Sequence, residues 1–266
     1  MFATRLISGI ILVALALLIV GSGGLWLFAA SAGISCVGLF ELYRVMKMED
    51  KLPGVAGYGA ALAYYGLVWF NQEKFIMLVA VSFLMLLMTI YVVTFPKYGT
   101  EQITVAFFGI FYVAVMFSYL YQTRMMADGA YLVWLIFLSS WGCDTCAYCV
   151  GMLFGKHKLA PVLSPKKSIE GAVGGVIGAA FLGFLYALFF GSHMNEVANP
   201  RLACSIACGI AAVISQIGDL AASAIKRNHQ VKDYGHLIPG HGGVLDRFDS
   251  MLFTAPAIYF ALTFLR

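Results

Sequence analysis

Two acidic residues of this sequence lie inside long apolar stretches. Asp144 lies in the apolar stretch that begins at Tyr131, and Asp219 lies in the stretch from Leu202 to Ala224. An ionisable side chain inside an apolar stretch that is long enough to cross a membrane is costly without a partner, and such residues commonly serve a function. We therefore interpret both carboxylates as candidate functional groups.

Helical spacing predicts polar neighbours for both acids. Asp219, Ser223 and Lys226 are separated by four and then three residues. A helix carries residues at these spacings on one face. Asp144 and Tyr148 form a similar pair, four residues apart. We expect the two polar faces to lie near the same end of the protein.

Two segments between apolar stretches carry further polar groups. Residues 155–171 are rich in lysine, and residues 226–249 interleave carboxylates, cations and glycines. Asp246 and Asp249 lie three residues apart, where the last apolar stretch begins. Carboxylate oxygens bind Mg²⁺, lysine and arginine neutralise phosphate charge, and glycine lets backbone approach a ligand closely. This composition predicts a polyphosphate held through a divalent cation.

Simpler interpretations compete with this one. Basic residues on one side of a membrane protein follow from topology or from contact with anionic headgroups. Asp219 can serve as one half of a structural ion pair, and Gly242 with Gly243 can form a plain turn. The carboxylates of residues 226–249 do not follow from topology, and they favour the functional interpretation.

The cysteines favour packing over metal binding. Cys143, Cys146 and Cys149 recur every three residues inside an apolar stretch, and Cys204 and Cys208 lie four residues apart. A tetrahedral metal site needs ligands that a loop can bring together, and these stretches contain no such loop. We expect small buried residues that pack helices together.

The elements that must position these groups are membrane helices. The chain has 266 residues, of which 61% are hydrophobic and 11% charged, against about 45–50% and about 25% in soluble domains. This composition excludes a water-soluble fold, and continuous apolar stretches favour helices over an alternating β-barrel. We predict an all-α, polytopic helical bundle with about nine transmembrane spans: Leu6 to Val20, Leu25 to Leu42, Val55 to Phe70, Phe75 to Phe95, Ile103 to Tyr121, Tyr131 to Phe154, Gly171 to Phe190, Leu202 to Ala224 and Phe248 to Leu265.

The distribution of charge predicts the orientation of the chain. With nine spans, 13 of the 17 basic residues lie on one side of the membrane, and the other side holds Lys74, Arg124, Arg201 and Arg266. Because positive charge is enriched in cytoplasmic loops, we expect a cytoplasmic amino terminus. The first span is expected to be a retained anchor and not a cleaved signal peptide.

Residues 223–249 resemble the signature of the phosphatidate cytidylyltransferases, also called CDP-diacylglycerol synthases. They contain Ser-Ala-Ile-Lys-Arg, Lys-Asp-Tyr-Gly, Leu-Ile-Pro-Gly-His-Gly-Gly and Asp-Arg-Phe-Asp in that order. Ser164–Gly171 and the pair Asp144 and Tyr148 resemble two further motifs of that family. The likeness covers the carboxyl-terminal half, with Cys143 and Cys146 standing where we expect Ser and Gly.

The resemblance implies a bacterial inner-membrane enzyme that converts CTP and phosphatidate to CDP-diacylglycerol and pyrophosphate. It further implies Mg²⁺ as cofactor, a homodimer, contact with membrane lipid and an active site on the cytoplasmic side. Whether a monovalent cation such as K⁺ joins Mg²⁺ is left open. No nucleic-acid partner is expected.

The same resemblance suggests roles for the polar residues. The expected metal ligands are Asp219 and Asp246, followed by Asp249 and Asp144, with Ser223 as a further oxygen ligand. The expected phosphate-binding cations are Lys226, Arg227, Lys232 and Arg247, aided by Lys166 and Lys167. His241, Gly242 and Gly243 are expected to shape the nucleotide loop, and Tyr148 to contact substrate beside Asp144. Within this set, the expected catalytic residues are Asp219, Ser223, Lys226, Asp246 and Asp249.

By role, the chain is predicted to divide into two regions. Residues 1–130 form a lipid-facing scaffold of helices, and residues 131–266 form the catalytic region with segments 155–171 and 226–249. Two alternatives stay open. A CTP-dependent polyprenol-type lipid kinase transfers the γ-phosphate, and an ion-coupled transporter uses intramembrane acids without turnover.

Overall fold

The computed structural model describes residues 2–240 and 242–265 of the chain, with side chains from residue 8 onward. It is almost entirely helical, as the apolar stretches predict. The α-helices are α1 (Phe2–Ser22), α2 (Gly24–Val45), α3 (Leu52–Trp69), α4 (Ile76–Val93), α5 (Thr100–Gly109), α6 (Met116–Met125), α7 (Gly129–Leu132), α8 (Trp134–Phe137), α9 (Cys143–Phe154), α10 (Ile169–Phe190), α11 (Pro200–Asn228) and α12 (Leu245–Leu265).

Short irregular elements join or interrupt these helices. Wider π-helical turns lie at Ile110–Val115 and Leu138–Gly142, and single 3₁₀ turns lie at Glu73–Phe75 and Gly191–His193. The only strands in the described part of the chain are β1 (Lys158–Ala160) and β2 (Ser164–Ser168), which pair antiparallel. This hairpin occupies the lysine-rich segment that the sequence predicts only as a loop.

The polytopic all-α class is confirmed. Seven helical stretches within the described residues are long and apolar enough to cross a membrane, and a shorter apolar helix covers Ser8–Ser22. Every predicted span overlaps a helix, but α3 falls outside the seven. The count of nine spans and the cytoplasmic amino terminus stay predictions.

The helices that carry the motif residues extend further than predicted. α11 continues to Asn228, four residues beyond the expected end of its span, and α12 begins at Leu245, three residues early. Lys226 and Arg227 therefore belong to the last turn of α11, where cations interact favourably with the helix dipole. The irregular part of segment 226–249 is correspondingly shorter.

The chain divides into two compact units. The first comprises Met1–Ser118 with His229–Arg247, and the second comprises Tyr119–Asn228 with Phe248–Arg266. This division follows contacts and not chemistry, so the predicted division by role at residue 130 stays a prediction.

In the second unit, α10 packs against α9 and α11 through glycines. A Cβ atom at Gly174 would lie 2.6 Å from Val150 of α9, and one at Gly178 would lie 2.6 Å from the Cβ of Cys146. Glycine at these positions lets two helices approach closely. Cys143, Cys204 and Cys208 are buried, as expected, and Cys146 is half-buried, but Cys149 is exposed, so the expected burial is wrong for Cys149.

Candidate active site

The polar face of α11 forms as its spacing predicts. The hydroxyl of Ser223 lies 3.5 Å from Oδ1 of Asp219, one turn away. Lys167, from the end of β2, forms an ion pair with the other oxygen of Asp219. Both side chains of this pair are about a quarter exposed, so a small ligand can reach them.

A second carboxylate, Asp249 of α12, lies near the first. Its Oδ2 lies 4.0 Å from the Nζ atom of Lys226, and both side chains are largely buried. The hydroxyl of Ser250 lies 3.3 Å from Asp249 Oδ1 and 3.5 Å from Asp144 Oδ2. Asp219 and Asp144 both repel the carboxylate of Asp249, whereas Lys226 attracts it. Three carboxylates and their counter-charges therefore share one electrostatic environment.

Glu170 closes the hairpin that carries Lys166 and Lys167. Its carboxylate accepts hydrogen bonds from the backbone N–H groups of Lys156 (3.1 Å) and His157 (3.2 Å), and it lies 2.6 Å from the His157 ring nitrogen. Ser168 caps α10 by accepting the N–H of Gly171. Capping and closure together hold the two ends of the hairpin against the first turn of α10.

Some of these residues line a cavity of about 480 Å³ in the second unit, whereas Asp249 and Lys226 are not part of its lining. Its lining contains both polar side chains and apolar ones, the latter including Ala147, Met152 and Leu159. The predicted site residues in the lining are Asp144, Tyr148, Lys166, Lys167 and Asp219. The cavity suits a ligand with a charged end and an apolar end.

In the first unit, Asp246 stabilises a loop. Its side chain is 5% exposed, and Oδ2 accepts the backbone N–H groups of Tyr234 (2.7 Å) and Gly243 (3.0 Å). One oxygen of this expected metal ligand is thus committed to holding the chain between Tyr234 and the start of α12. Gly242 adopts φ 87°, a left-handed conformation that favours glycine.

The same loop borders a cavity of about 500 Å³ that contains Lys232, His236, Gly242 and Arg247 in its lining. Lys232 and Arg247 are exposed at the surface of this cavity. Arg227 is exposed in the last turn of α11, in the second unit. His241, which we expect in the nucleotide loop, lies outside the described residues.

Sequence reasoning missed three residues that support these groups. Glu41 and Arg44 of α2 bind the loop around Asp246, and Glu170 closes the hairpin. Glu41 carried a usable signal, because it is an acid within the predicted span Leu25 to Leu42. Glu170 belongs to a motif, but it lies too far along the chain from residues 156 and 157 for a helical or strand period to predict their contact.

The carboxylates fit Mg²⁺ in combination with a phosphate. Among the residues that the structure describes, no three His, Cys, Asp or Glu side chains are grouped so as to hold a metal alone. Mg²⁺ commonly binds one or two carboxylates and completes its octahedron with substrate phosphates and water. Asp219 and Asp249 supply two hard-oxygen donors, so they suit an ion that arrives with its substrate.

Comparison with known proteins agrees with this chemistry. The model of the cytidylyltransferase family matches residues 3–265. The chain is 34% identical over 262 residues to a phosphatidate cytidylyltransferase of Staphylococcus saprophyticus, covering 96% of each chain. Proteins of the same name from Staphylococcus haemolyticus and Bacillus subtilis are 35% and 31% identical, with at least 93% of each chain covered. A family match over almost the entire length, with the motif residues around charged cavities, shows that the chain belongs to the cytidylyltransferase family.

Proposed function

We propose that the chain transfers a cytidylyl group from CTP to phosphatidate, yielding CDP-diacylglycerol and pyrophosphate, at a Mg²⁺-assisted site. The observation that carries the proposal is the cavity of the second unit. It combines Asp219, Lys167 and Asp144 with apolar lining residues. A lipid phosphate needs this combination, because its headgroup is anionic and its acyl chains are apolar.

The reaction joins two anions, which repel each other. The cations of the site reduce this repulsion. A phosphate oxygen of phosphatidate forms a bond to the α-phosphorus of CTP, and the bond from that phosphorus to the bridging oxygen breaks as pyrophosphate leaves. A phosphate monoester has a second pKa of about 6, so at neutral pH it is largely a dianion and needs no strong base. Lys167 and Lys226 lower the repulsion between the reactants, and positioning accounts for much of the remaining rate.

The carboxylates Asp219 and Asp249 would hold Mg²⁺, with Asp144 beside them. When bound, the ion supplies positive charge to phosphate oxygens that are becoming more negative. Ser223 orients Asp219, and Ser250 connects Asp249 to Asp144. Asp246 is less suited to act as a ligand through Oδ2, since that oxygen already accepts two backbone N–H groups.

The cavity of the first unit suits the polyphosphate part of a nucleotide. Lys232 and Arg247 contribute positive charge to its lining, and His236 contributes a further nitrogen donor. Arginine and lysine at such a surface bind phosphate through charge-assisted hydrogen bonds.

The proposal includes the cellular setting of the enzyme. The excess of basic residues on one side supports a cytoplasmic active site in a bacterial inner membrane, where CTP is available. A homodimer follows from the family resemblance and is part of the same proposal.

The test uses purified protein in detergent with radiolabelled CTP and either phosphatidate or, in a parallel reaction, a polyprenol. We expect α-phosphate label to enter the lipid and γ-phosphate label to appear in pyrophosphate, with both products dependent on Mg²⁺. Transfer of the γ-label to lipid would instead indicate the polyprenol-type kinase reaction. Absence of any turnover would favour the transporter.

A further inference from the structure

Glu41 is a buried carboxylate in the amino-terminal half of the chain. It lies on α2, near the end of an apolar helix, and is 3% exposed. A charged group buried to this extent destabilises the fold unless hydrogen bonds compensate for its lost hydration. Its partners therefore indicate what it does.

Both oxygens of Glu41 accept hydrogen bonds from the start of α12. The N–H of Val244 lies 3.0 Å from Oε1, and the N–H of Leu245 lies 2.8 Å from Oε2. The first N–H groups of a helix have no partner within the helix, and its positive dipole end attracts a carboxylate. Two bonds from one carboxylate fix both the position and the direction of the chain where α12 begins.

Glycines pack against the same carboxylate. A Cβ atom built at Gly243 would overlap both oxygens of Glu41, and one built at Gly235 would overlap Oε1. The loop can approach Glu41 at both glycines only because these positions lack a side chain. Gly243 is expected to shape the nucleotide loop, and its lack of a side chain also prevents a clash with Glu41.

α2 also contacts this loop one turn later. Arg44 donates a hydrogen bond to the carbonyl oxygen of Tyr234 (2.9 Å), and the N–H of Tyr234 is bound by Asp246. The loop that carries Lys232 and Arg247 is consequently held at both of its ends by a single helix.

We propose that Glu41 is a positioning residue for the 232–247 loop: it holds the start of α12 and the two glycines so that the phosphate-binding groups of the loop keep their geometry. It acts through Val244, Leu245 and Gly243 and does not touch substrate. The proposal rests on the function proposed above for this loop.

The first test compares E41Q with E101Q. Glutamine keeps one acceptor oxygen but presents an N–H₂ group to a second backbone donor, so one bond is lost. E101Q makes the same chemical change at an exposed position of the same unit. We expect E41Q to lower kcat/KM for CTP by about tenfold or more, as loss of a supporting hydrogen-bond partner commonly does. E101Q should match the wild type.

The readout is corrected for the amount of folded protein. A purely structural role would reduce the yield of monodisperse protein and leave kcat and both KM values of the folded fraction unchanged. That result for E41Q would overturn the proposal. Hydrogen exchange at the amides of Val244 and Leu245 should be faster in E41Q, and unchanged exchange would also overturn it.

A double-mutant cycle covers the case in which E41Q does not fold. G243A places a methyl group against the Glu41 carboxylate, and E41D withdraws that carboxylate by one methylene. If the two positions act through their contact, E41D should restore part of the activity that G243A loses. Strictly additive losses would contradict the proposal. If the wild type releases no pyrophosphate, the proposed function fails by itself, and the exchange measurement still decides the role of Glu41.

Discussion

Asp219 links two elements at the scale of single residues. It accepts a contact from Ser223 on its own helix and pairs with Lys167 from the hairpin. Asp219 is therefore a partly exposed carboxylate that is paired with a cation. Asp249 repeats this arrangement with Lys226.

Replacing Asp219 by Asn should abolish most of the cytidylyl transfer. The amide keeps the size of the side chain but removes the negative charge that Mg²⁺ and Lys167 require. We expect kcat to fall by about a hundredfold or more, a loss typical of preorganised electrostatic groups. Steady-state release of pyrophosphate measures it.

D50N is the matched control for D219N, because Asp50 is exposed and lies outside both cavities. It should turn over at the wild-type rate. Normal turnover by D219N in folded protein would remove Asp219 from the site and leave it as a structural ion-pair partner.

At the scale of elements, Glu170 closes the base of the hairpin β1–β2. Glu170 accepts the N–H groups of Lys156 and His157, while Lys166 and Lys167 lie further along the chain toward the cavity. The position of Lys166 and Lys167 consequently depends on Glu170, although these hydrogen bonds of Glu170 involve neither lysine.

E170Q should loosen this hairpin without unfolding the helices. The amide can satisfy only part of the three contacts that the carboxylate makes. We expect KM for phosphatidate to rise by about tenfold, the scale of lost supporting contacts, and proteases to cut residues 155–168 faster. H157Q removes only the ring contact and keeps both backbone bonds, so its effect should be smaller than that of E170Q. An E170Q protein with unchanged KM and unchanged cleavage would contradict this role.

The packing of α10 on α9 makes a separate prediction for stability. G174A adds a methyl group that would lie 2.6 Å from Val150, and overpacking of this kind costs about 1–3 kcal/mol. The apparent Tm in detergent should fall.

G209A provides the control, since its added Cβ would lie at an ordinary 3.5 Å from Ala180. Gly209 lies on α11, and the change from Gly to Ala inside a helix should raise the free energy of unfolding by about 0.5–1 kcal/mol. A Tm for G174A equal to that of G209A would show that α9 and α10 can separate without loss.

At the scale of the whole molecule, the number of membrane crossings depends in part on α3. α3 has 18 residues, and a helix of that length spans about 27 Å, close to the thickness of the hydrocarbon core. The nine-span prediction requires α3 to cross, although it is not among the seven helices that are most suited to do so.

Cysteine labelling at the two ends of α3 tests this crossing. D50C and K74C flank the helix at exposed positions, in a background where the exposed Cys149 is replaced by Ala. With a cytoplasmic amino terminus, a membrane-impermeant maleimide should label K74C in intact spheroplasts and D50C only after permeabilisation. Equal labelling of both sites before permeabilisation would show that α3 does not cross.

The helical periodicity of the sequence predicts local geometry well. The pairing of Asp219 with Ser223 is a property of one helix, and any α-helix over these residues brings them together. The long apolar stretches likewise require helices, because backbone polar groups in lipid must be satisfied within the segment. The ends of α11 and α12 were less predictable, since polar residues in a terminal turn resemble a loop.

By itself, then, the sequence determined the all-α membrane class, the polar faces of the helices and, through its motifs, the family. Only the tertiary structure decided which residues pair with the polar groups of the site and hold its loops in place. Lys167 meets Asp219, Glu170 binds residues 156 and 157, and Glu41 binds residues 244 and 245. The physical reason is that these partners belong to different elements, so no local period relates them. Glu41 is buried and must find donors within the packed fold, whereas Asp219 and Glu170 are partly exposed and meet their partners where separate elements pack together.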